Sequence, residues 1–338
     1  MRPPGILKVY YQTRVMLRQE PMAIKKSARA LVGILLCMLA TLSWAQSYPN
    51  KPIRLLVGFT AGGNADLTAR VISAKLAQAL GTTIVVENRT GAAGSIAANI
   101  VARAPADGYT LMLASPGALA VNRILEKNLP YDPDTAFVPI GLVATFCNVL
   151  TARQDFAASS VAQLIVLAKE KPGQFNIGSQ GIGSAGFLSG QLMQQMAGVK
   201  LTHVPYKGGA DATAALAGGE LHLNFSSVTA ALSLRSRLKV LAVTSLARDP
   251  GLPDAPTMDE SGLKGYDATF WFGLAAPART PQAIVTRLNT LLRAAISDAE
   301  IVKTLQSQGI NPTPSAPQEL TARMRADYVK WKRVIEGS

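Results

Sequence analysis

The chain has 338 residues, 48% of them hydrophobic, with 34 Lys and Arg against 21 Asp and Glu for a formal net charge of +13. The basic residues are scattered and form no polybasic arm, so the charge does not call for nucleic acid. Two cysteines in so long a chain leave the fold to rest on an ordinary apolar core.

The first predicted element is an export signal. Lys25, Lys26 and Arg29 precede an uncharged apolar run from Ala30 to Leu42, and Ser43-Trp44-Ala45 follows with small residues at the positions a signal peptidase reads. The run is about 13 residues long, against the roughly 20 that span a bilayer. Cleavage is expected after Ala45, and the protein is expected in the periplasm. Met22 stands directly before the basic cluster and fits the true start, which makes residues 1–21 a non-native extension. Leu36 fills the position before Cys37 where a lipoprotein requires a small residue, which argues against lipidation. Removing residues 1–45 takes away 7 basic residues and 1 acidic one. The remaining 293 residues hold 27 basic and 20 acidic side chains, a net +7. That length suits two domains, and the mild excess suits small anions. Cys147 is then alone, which excludes an intrachain disulfide and a Cys-based zinc site.

Strand and helix patterns alternate beyond the signal. Ile53 to Val57 reads as a buried strand, and Asp66 to Leu80 carries an apolar stripe at helical spacing that Gly81 ends. Thr83 to Glu87, Ser95 to Ala104 and Tyr109 to Ala114 follow as strand, helix and strand, an order that predicts a parallel sheet with right-handed crossovers. The pattern restarts with helices over 161–169, 187–197 and 210–217 and strands over 175–179, 201–206, 221–226 and 239–244. Three helices close the chain, over 281–297, 299–308 and 317–336. Extended stretches at 143–151 and 270–277 are the candidate crossings between two lobes. The expectation is therefore an α/β fold of two lobes joined by a two-strand hinge. Residues 46–147 and 274–338 form the first lobe and residues 148–273 the second, with a ligand in the cleft between them.

Glycine-rich turns stand at three strand-to-helix junctions: Phe59 to Asp66, Arg89 to Ser95, and Ser179 to Gly186. Glycine lets the backbone approach a ligand, and the helix behind it offers unpaired N–H groups and a partial positive charge. Such loops bind anions without any lysine. They are equally readable as plain tight turns, with Asn64, Asp66 or Ser184 as helix-capping residues. The first and third loops fall in different lobes and are the pair able to face each other; the second is read as structural. The third loop also matches G-x-G-x-x-G at Gly181, Gly183 and Gly186, but Tyr206-Lys207 stands where a dinucleotide site needs an acidic residue.

Catalytic signals are sparse. His203 and His222 are the only histidines and are isolated from each other, which argues against a metal site. There is no G-x-S-x-G elbow and no P-loop. No close carboxylate pair suggests acid–base work. Asp211, near the cleft, is a candidate for holding an amine or a water. Phe59, Phe225, Phe270, Trp271 and Phe272 are candidate cleft walls, with core packing as the competing role. No cofactor and no metal are expected.

The chain also resembles a known family, the Bug-type receptors of tripartite tricarboxylate transporters. The resemblance is carried by Tyr48-Pro49-x-Lys51-Pro52-Ile53-Arg54, Ala61-Gly62-Gly63-x-x-Asp66, Val85-Val86-Glu87-Asn88-Arg89 and Asp107-Gly108-Tyr109-Thr110-Leu111. It continues through His203-Val204-Pro205-Tyr206-Lys207-Gly208, Leu241-Ala242-Val243-Thr244, Pro256-Thr257, Trp271-Phe272-Gly273 and Trp331. It implies a type II periplasmic-binding-protein fold that closes on its ligand, and a monomeric receptor that is not an enzyme. It implies a small carboxylate as ligand, such as a di- or tricarboxylate, an acidic amino acid, or an aromatic or nicotinate-like acid, and inner-membrane permease subunits as partners. Carried over residue by residue, the ligand contacts fall on Ala61, Gly62, Gly63, Asn64 and Asp66, and on Ser179, Gly183 and Ser184. Two departures stand out. Gly58 and Thr60 occupy places where the family commonly has proline, and Phe187-Leu188 replaces a histidine-leucine pair. If Phe187 lines the cleft, a less polar ligand than a tricarboxylate is implied.

Overall fold

A computed structural model describes residues 48–337; the export signal expected at residues 25–45 and the expected extension 1–21 lie outside them. From Lys51 onward the chain forms one compact unit with two sheets. The first part runs β1 (Ile53–Val57), α1 (Asn64–Leu80), β2 (Ile84–Asn88), α2 (Ser95–Ala102), β3 (Thr110–Ala114), α3 (Asn122–Leu125) and β4 (Phe137–Phe146). The middle runs β5 (Val149–Arg153), α4 (Val161–Glu170), β6 (Asn176–Ser179), α5 (Ala185–Ala197), β7 (Thr202–Pro205), α6 (Gly209–Ala217), β8 (Leu223–Ser226), α7 (Val228–Ser233) and β9 (Leu238–Val243). The end runs β10 (Phe270–Pro277), α8 (Gln282–Ile296), α9 (Ala299–Gln306), β11 (Ile310–Pro312) and α10 (Pro317–Glu336).

The first sheet has the order β11-β4-β10-β3-β1-β2, and the second β7-β6-β8-β5-β9. β1, β2 and β3 pair in parallel as the sequence predicts, because each is followed by a helix that returns the chain to the same edge. The strands that come from other parts of the chain run the other way. β10 is antiparallel to β3 and β4, and β5 is antiparallel to β8 and β9. The result is two mixed α/β lobes. α1 shows why the stripes are helical: Ala65, Ala69, Ile72, Leu76 and Leu80 are buried at spacings of three and four. Gly81 ends it in the left-handed region at φ 68°.

β10 is buried along its whole length and is a spine of the first sheet. All of it, Phe270 to Pro277, pairs with β4, so Phe270 to Gly273 belong with the first sheet, ahead of the 273/274 division expected from sequence. α10 packs over its start. Trp271 Nε1 donates to Asp327 Oδ2 at 2.7 Å, Arg323 Nη2 to Thr269 O at 2.7 Å, and Lys330 Nζ to Asp267 O at 2.6 Å. Phe270 stacks on Trp331 with ring centroids 5.5 Å apart. Burial pushes the Asp327 carboxyl above its ordinary range, although Arg323 and Trp271 pull against that shift.

Two segments cross between the sheets, Cys147-Asn148 and the stretch after β9. Thr244 binds both: its hydroxyl accepts from Asn148 N at 2.8 Å and donates to Ala268 O at 2.9 Å. Its own N–H reaches Asn148 O, and Ala268 N reaches Thr244 O. The crossings are thus tied together at one fully buried threonine. Beside it Cys147 is buried, and desolvation with the nearby Asp249 charge pushes its thiol up to about 12. Such a thiol is unreactive at neutral pH. Among the described residues no helix is long and apolar enough to cross a membrane.

Candidate functional site

The carboxyl ends of the strands in both sheets open onto one cavity of about 210 Å³. The first lobe contributes Phe59, Thr60, Gly62, Gly63, Asn64, Ala65 and Leu67, then Ser115-Pro116-Gly117 after β3, Phe146 and Phe272. The crossing contributes Asn148. The second lobe contributes Gln180, Ser184, Ala185, Gly209, Ala210, Ser227, Thr229 and Ala230. None of the lining residues is charged.

Helix starts dominate this surface. α1, α5 and α6 begin at Asn64, Ala185 and Gly209, all on the lining. Their first-turn N–H groups have no intrahelical acceptor, and each terminus carries about half a positive charge. The side chains around them are largely engaged within the protein. Ser184 Oγ accepts from Phe187 N at 3.3 Å, and Ser227 Oγ from Ala230 N at 3.1 Å. Gln180 Nε2 donates to Phe225 O at 3.1 Å while its Oε1 accepts from Gly186 N at 3.0 Å. These bonds hold the third loop in shape.

The first loop is braced from below. Asp66, buried, accepts from Gly62 N at 3.0 Å and from Arg70 Nε. Burial alone raises its pKa, but Arg70, the Gly62 N–H and Asn88 together outweigh that and hold the carboxyl below its usual range. Asn88 Nδ2 also donates to Phe59 O at 3.0 Å, which gives a structural reason for the Glu87-Asn88-Arg89 stretch. Gly62 sits at φ +80° with open space around it, so it is there for its backbone angle.

The sequence-predicted residues divide clearly. Phe59, Gly62, Gly63, Asn64 and Ser184 line the cavity. Ala61 is at the exposed tip of the first loop, and Asp66 supports the loop from within. Ser179 is buried behind the third loop, where its Oγ meets His203 Nε2 at 2.7 Å and accepts from Gly181 N. Gly183, at φ +83°, turns toward the first lobe, where an added Cβ would strike Asn122 Oδ1. Asp211 is exposed in the first turn of α6 and off the lining. Phe187 is also off the lining; its ring meets His203 edge-on at 5.0 Å. The Phe187 ring therefore sits behind the loop and not on the cavity wall. Of the candidate aromatic walls, Phe59 and Phe272 line the cavity, while Phe225, Phe270 and Trp271 are fully buried in the core.

Sequence reasoning did not single out Ser115-Pro116-Gly117, Phe146, Asn148 or Ser227–Ala230. A Ser-Pro-Gly after a strand reads only as a turn, and Phe146 lies in an apolar run whose facing is set by its partners. A usable signal existed at Gly208-Gly209, a glycine pair before a helix.

The lobes are in contact around the cavity. A Cβ on Gly117 would lie 2.9 Å from Gly183 O and 2.7 Å from Ala93 O, and one on Gly208 would overlap the Thr60 side chain. On the opposite side Thr229 Oγ1 donates to Gln308 O at 3.1 Å. A cavity walled by helix starts from two lobes in contact is a solute-capture geometry, and comparison with known proteins identifies it. Residues 68–338 match the tripartite tricarboxylate transporter family receptor. The chain belongs to that family. It is 37% identical over 313 residues to a UPF0065 protein encoded in the tcbD–tcbE intergenic region of Pseudomonas sp. strain P51, covering 91% of this chain and 93% of the relative. Among solved structures it is similar to Rpa4515 of R. palustris with adipate, at TM-score 0.83 and 37% identity over 86% of this chain and 98% of that one. It is also similar to MatC (Rpa3494) of Rhodopseudomonas palustris with bound malate, at TM-score 0.81 and 30% identity over 85% and 100%.

Proposed function

We propose that this family receptor captures a small organic carboxylate in the interlobe cavity and hands it to inner-membrane permease subunits, acting as a monomer in the periplasm without catalysing turnover. The observation that carries the reading is the convergence of three helix N-termini, from both lobes, on a cavity with no charged lining residue. Backbone dipoles of this kind suit a carboxylate, and cations or neutral sugars would leave them unused. The ligand contacts fall on Gly62, Gly63, Asn64 and Ser184. Gly183 and Ser179 shape the second wall, and Asp66 holds the first. Adipate in one relative and malate in another support the ligand class. The sequence's own signal pattern, with cleavage at Ala45, supports export.

A thermal-shift screen tests this. A carboxylate present at about 100 times its Kd adds about 2.7 kcal/mol to stability, so a clear rise in Tm is expected with at least one organic acid. Silence across carboxylates with a rise for sugars or cations would overturn the reading.

A further inference from the structure

The two flanks of the cleft are closed by different means. On the flank of the third loop the lobes approach through glycines, Gly117 against Gly183 and Gly208 against Thr60. On the other flank the turn after α9 meets the start of α7, and a hydrogen bond joins them. Thr229 Oγ1 lies 3.1 Å from Gln308 O and 3.0 Å from Gln308 Oε1. Both are acceptors, so the hydroxyl proton is given to Gln308 at either atom. The next residue is shaped for the same approach. Gly309 stands at φ +70°, and a Cβ there would lie 2.5 Å from Val228 Cβ, so the turn receives α7 only with glycine at that place.

α7 is six residues long, too short to be stable by itself. Val228 and Ala231 seat it among Cys147, Val149 and Val243 at the crossing, and Ser227, Thr229 and Ala230 line the cavity. Thr229 therefore stands on the cavity wall and on the lobe contact at once. Its chemistry suits the contact. With its proton given to Gln308, the hydroxyl has only lone pairs to offer a solute, and a carboxylate oxygen needs donors. We infer that Thr229 and Gln308 form a closure latch, a pair that positions the cavity-lining start of α7 and sets how long the lobes stay shut, with no direct hold on the solute. Gln308 is off the cavity lining and acts through Thr229. The inference goes beyond the carboxylate reading and holds for any solute on which the lobes close. A bond made only in the closed form slows opening and leaves the encounter untouched, so the latch tunes dissociation and not association.

The test is amide hydrogen exchange of the full chain without added solute, read on both flanks: at Ala231 N–H, bonded to Ser227 O in α7, and at Ser184 N–H, bonded to Gly181 O in the third loop. In Thr229→Val both amides are expected to exchange about five-fold faster, the order of one net hydrogen bond. Thr229→Ser keeps the hydroxyl and is expected to match wild type. Gln308→Ala keeps the backbone acceptor, so its effect is expected to be smaller, and it should add little on top of Thr229→Val. Adipate supplies a second arm: its dissociation from Thr229→Val should be about five-fold faster, with association within about two-fold of wild type. Faster exchange confined to Ala231 would reduce the pair to a local brace and overturn the latch, as would unchanged exchange on both flanks. A slower association of adipate with an unchanged dissociation rate would overturn it too. Failure of every organic acid to bind would count against the carboxylate reading alone, because the exchange arm needs no solute.

Discussion

The first and third glycine loops carry nearly the same sequence signature and do different work. In the first, Gly62 has open space where a Cβ would go, and its N–H is tied to Asp66 beneath it. That loop shows its backbone to the cavity. In the third, Gly183 has Asn122 and Ala93 of the other lobe against it, and Gly117 faces it from across the cleft. That loop lets the two lobes come together. Glycine in a cleft therefore has two distinct uses, one facing the ligand and one facing the other lobe.

The largest expected effect tests the second use. Gly183→Leu would drive a side chain into Asn122 and hold the lobes apart. Apparent affinity falls in proportion to the closed population, so Kd should rise by roughly 100-fold or more. Small-angle scattering should report a larger particle in the presence of ligand. A variant that binds and closes normally would erase the distinction between the loops. Next, Asp66→Ala removes the brace under the first loop and frees the Gly62 N–H; a loss of about 2 kcal/mol in urea unfolding is expected. Gly62→Ala tests the angle alone. With space free around it, only the positive φ is costly, about 1 kcal/mol, and affinity should change far less than in Gly183→Leu.

The smallest effect concerns pH and the back of the third loop. Burial holds the His203 imidazole below its ordinary 6.5. A depressed folded pKa gives stability that is present above the unfolded value and lost as pH falls through the folded one. Wild type should therefore lose more stability on acidification below pH 6.5 than His203→Gln, in which only the likewise lowered His222 remains. Equal slopes would place His203 outside the support of Ser179.

Much of this comparison was legible in the chain. Helices with an apolar stripe and a glycine stop, such as 64–80, announce themselves through period and cap. Both glycine loops stood out because glycine clusters between strand and helix are chemically unusual. β4 was harder to see at its start. Pro139 and Gly141 interrupt the strand pattern there, and the pairing with β10 shifts register between the partners of those two residues. The proline is tolerated because β11 covers only Ala144 to Phe146 of β4, leaving the edge at Pro139 uncovered by it. Phe187 is undecided by the sequence for a different reason. Sequence puts it in the first turn of a helix at the cleft, but 100° of rotation per residue decides whether a ring faces the ligand or His203. The partnership of Gly117 with Gly183 joins residues 66 positions apart, and only the closed fold brings them together.

The cavity wall without a charged residue has a consequence for how the ligand leaves. A lysine or arginine on a long side chain could follow a departing acid and slow its escape. On the proposed reading the attraction comes from backbone on both lobes. When the lobes part, the field that holds the anion would split in the same motion, so residence time would follow how long the crossings tied at Thr244 keep the lobes together. The wall also offers no mobile ion pair for salt to screen, and dwell time should vary little with ionic strength.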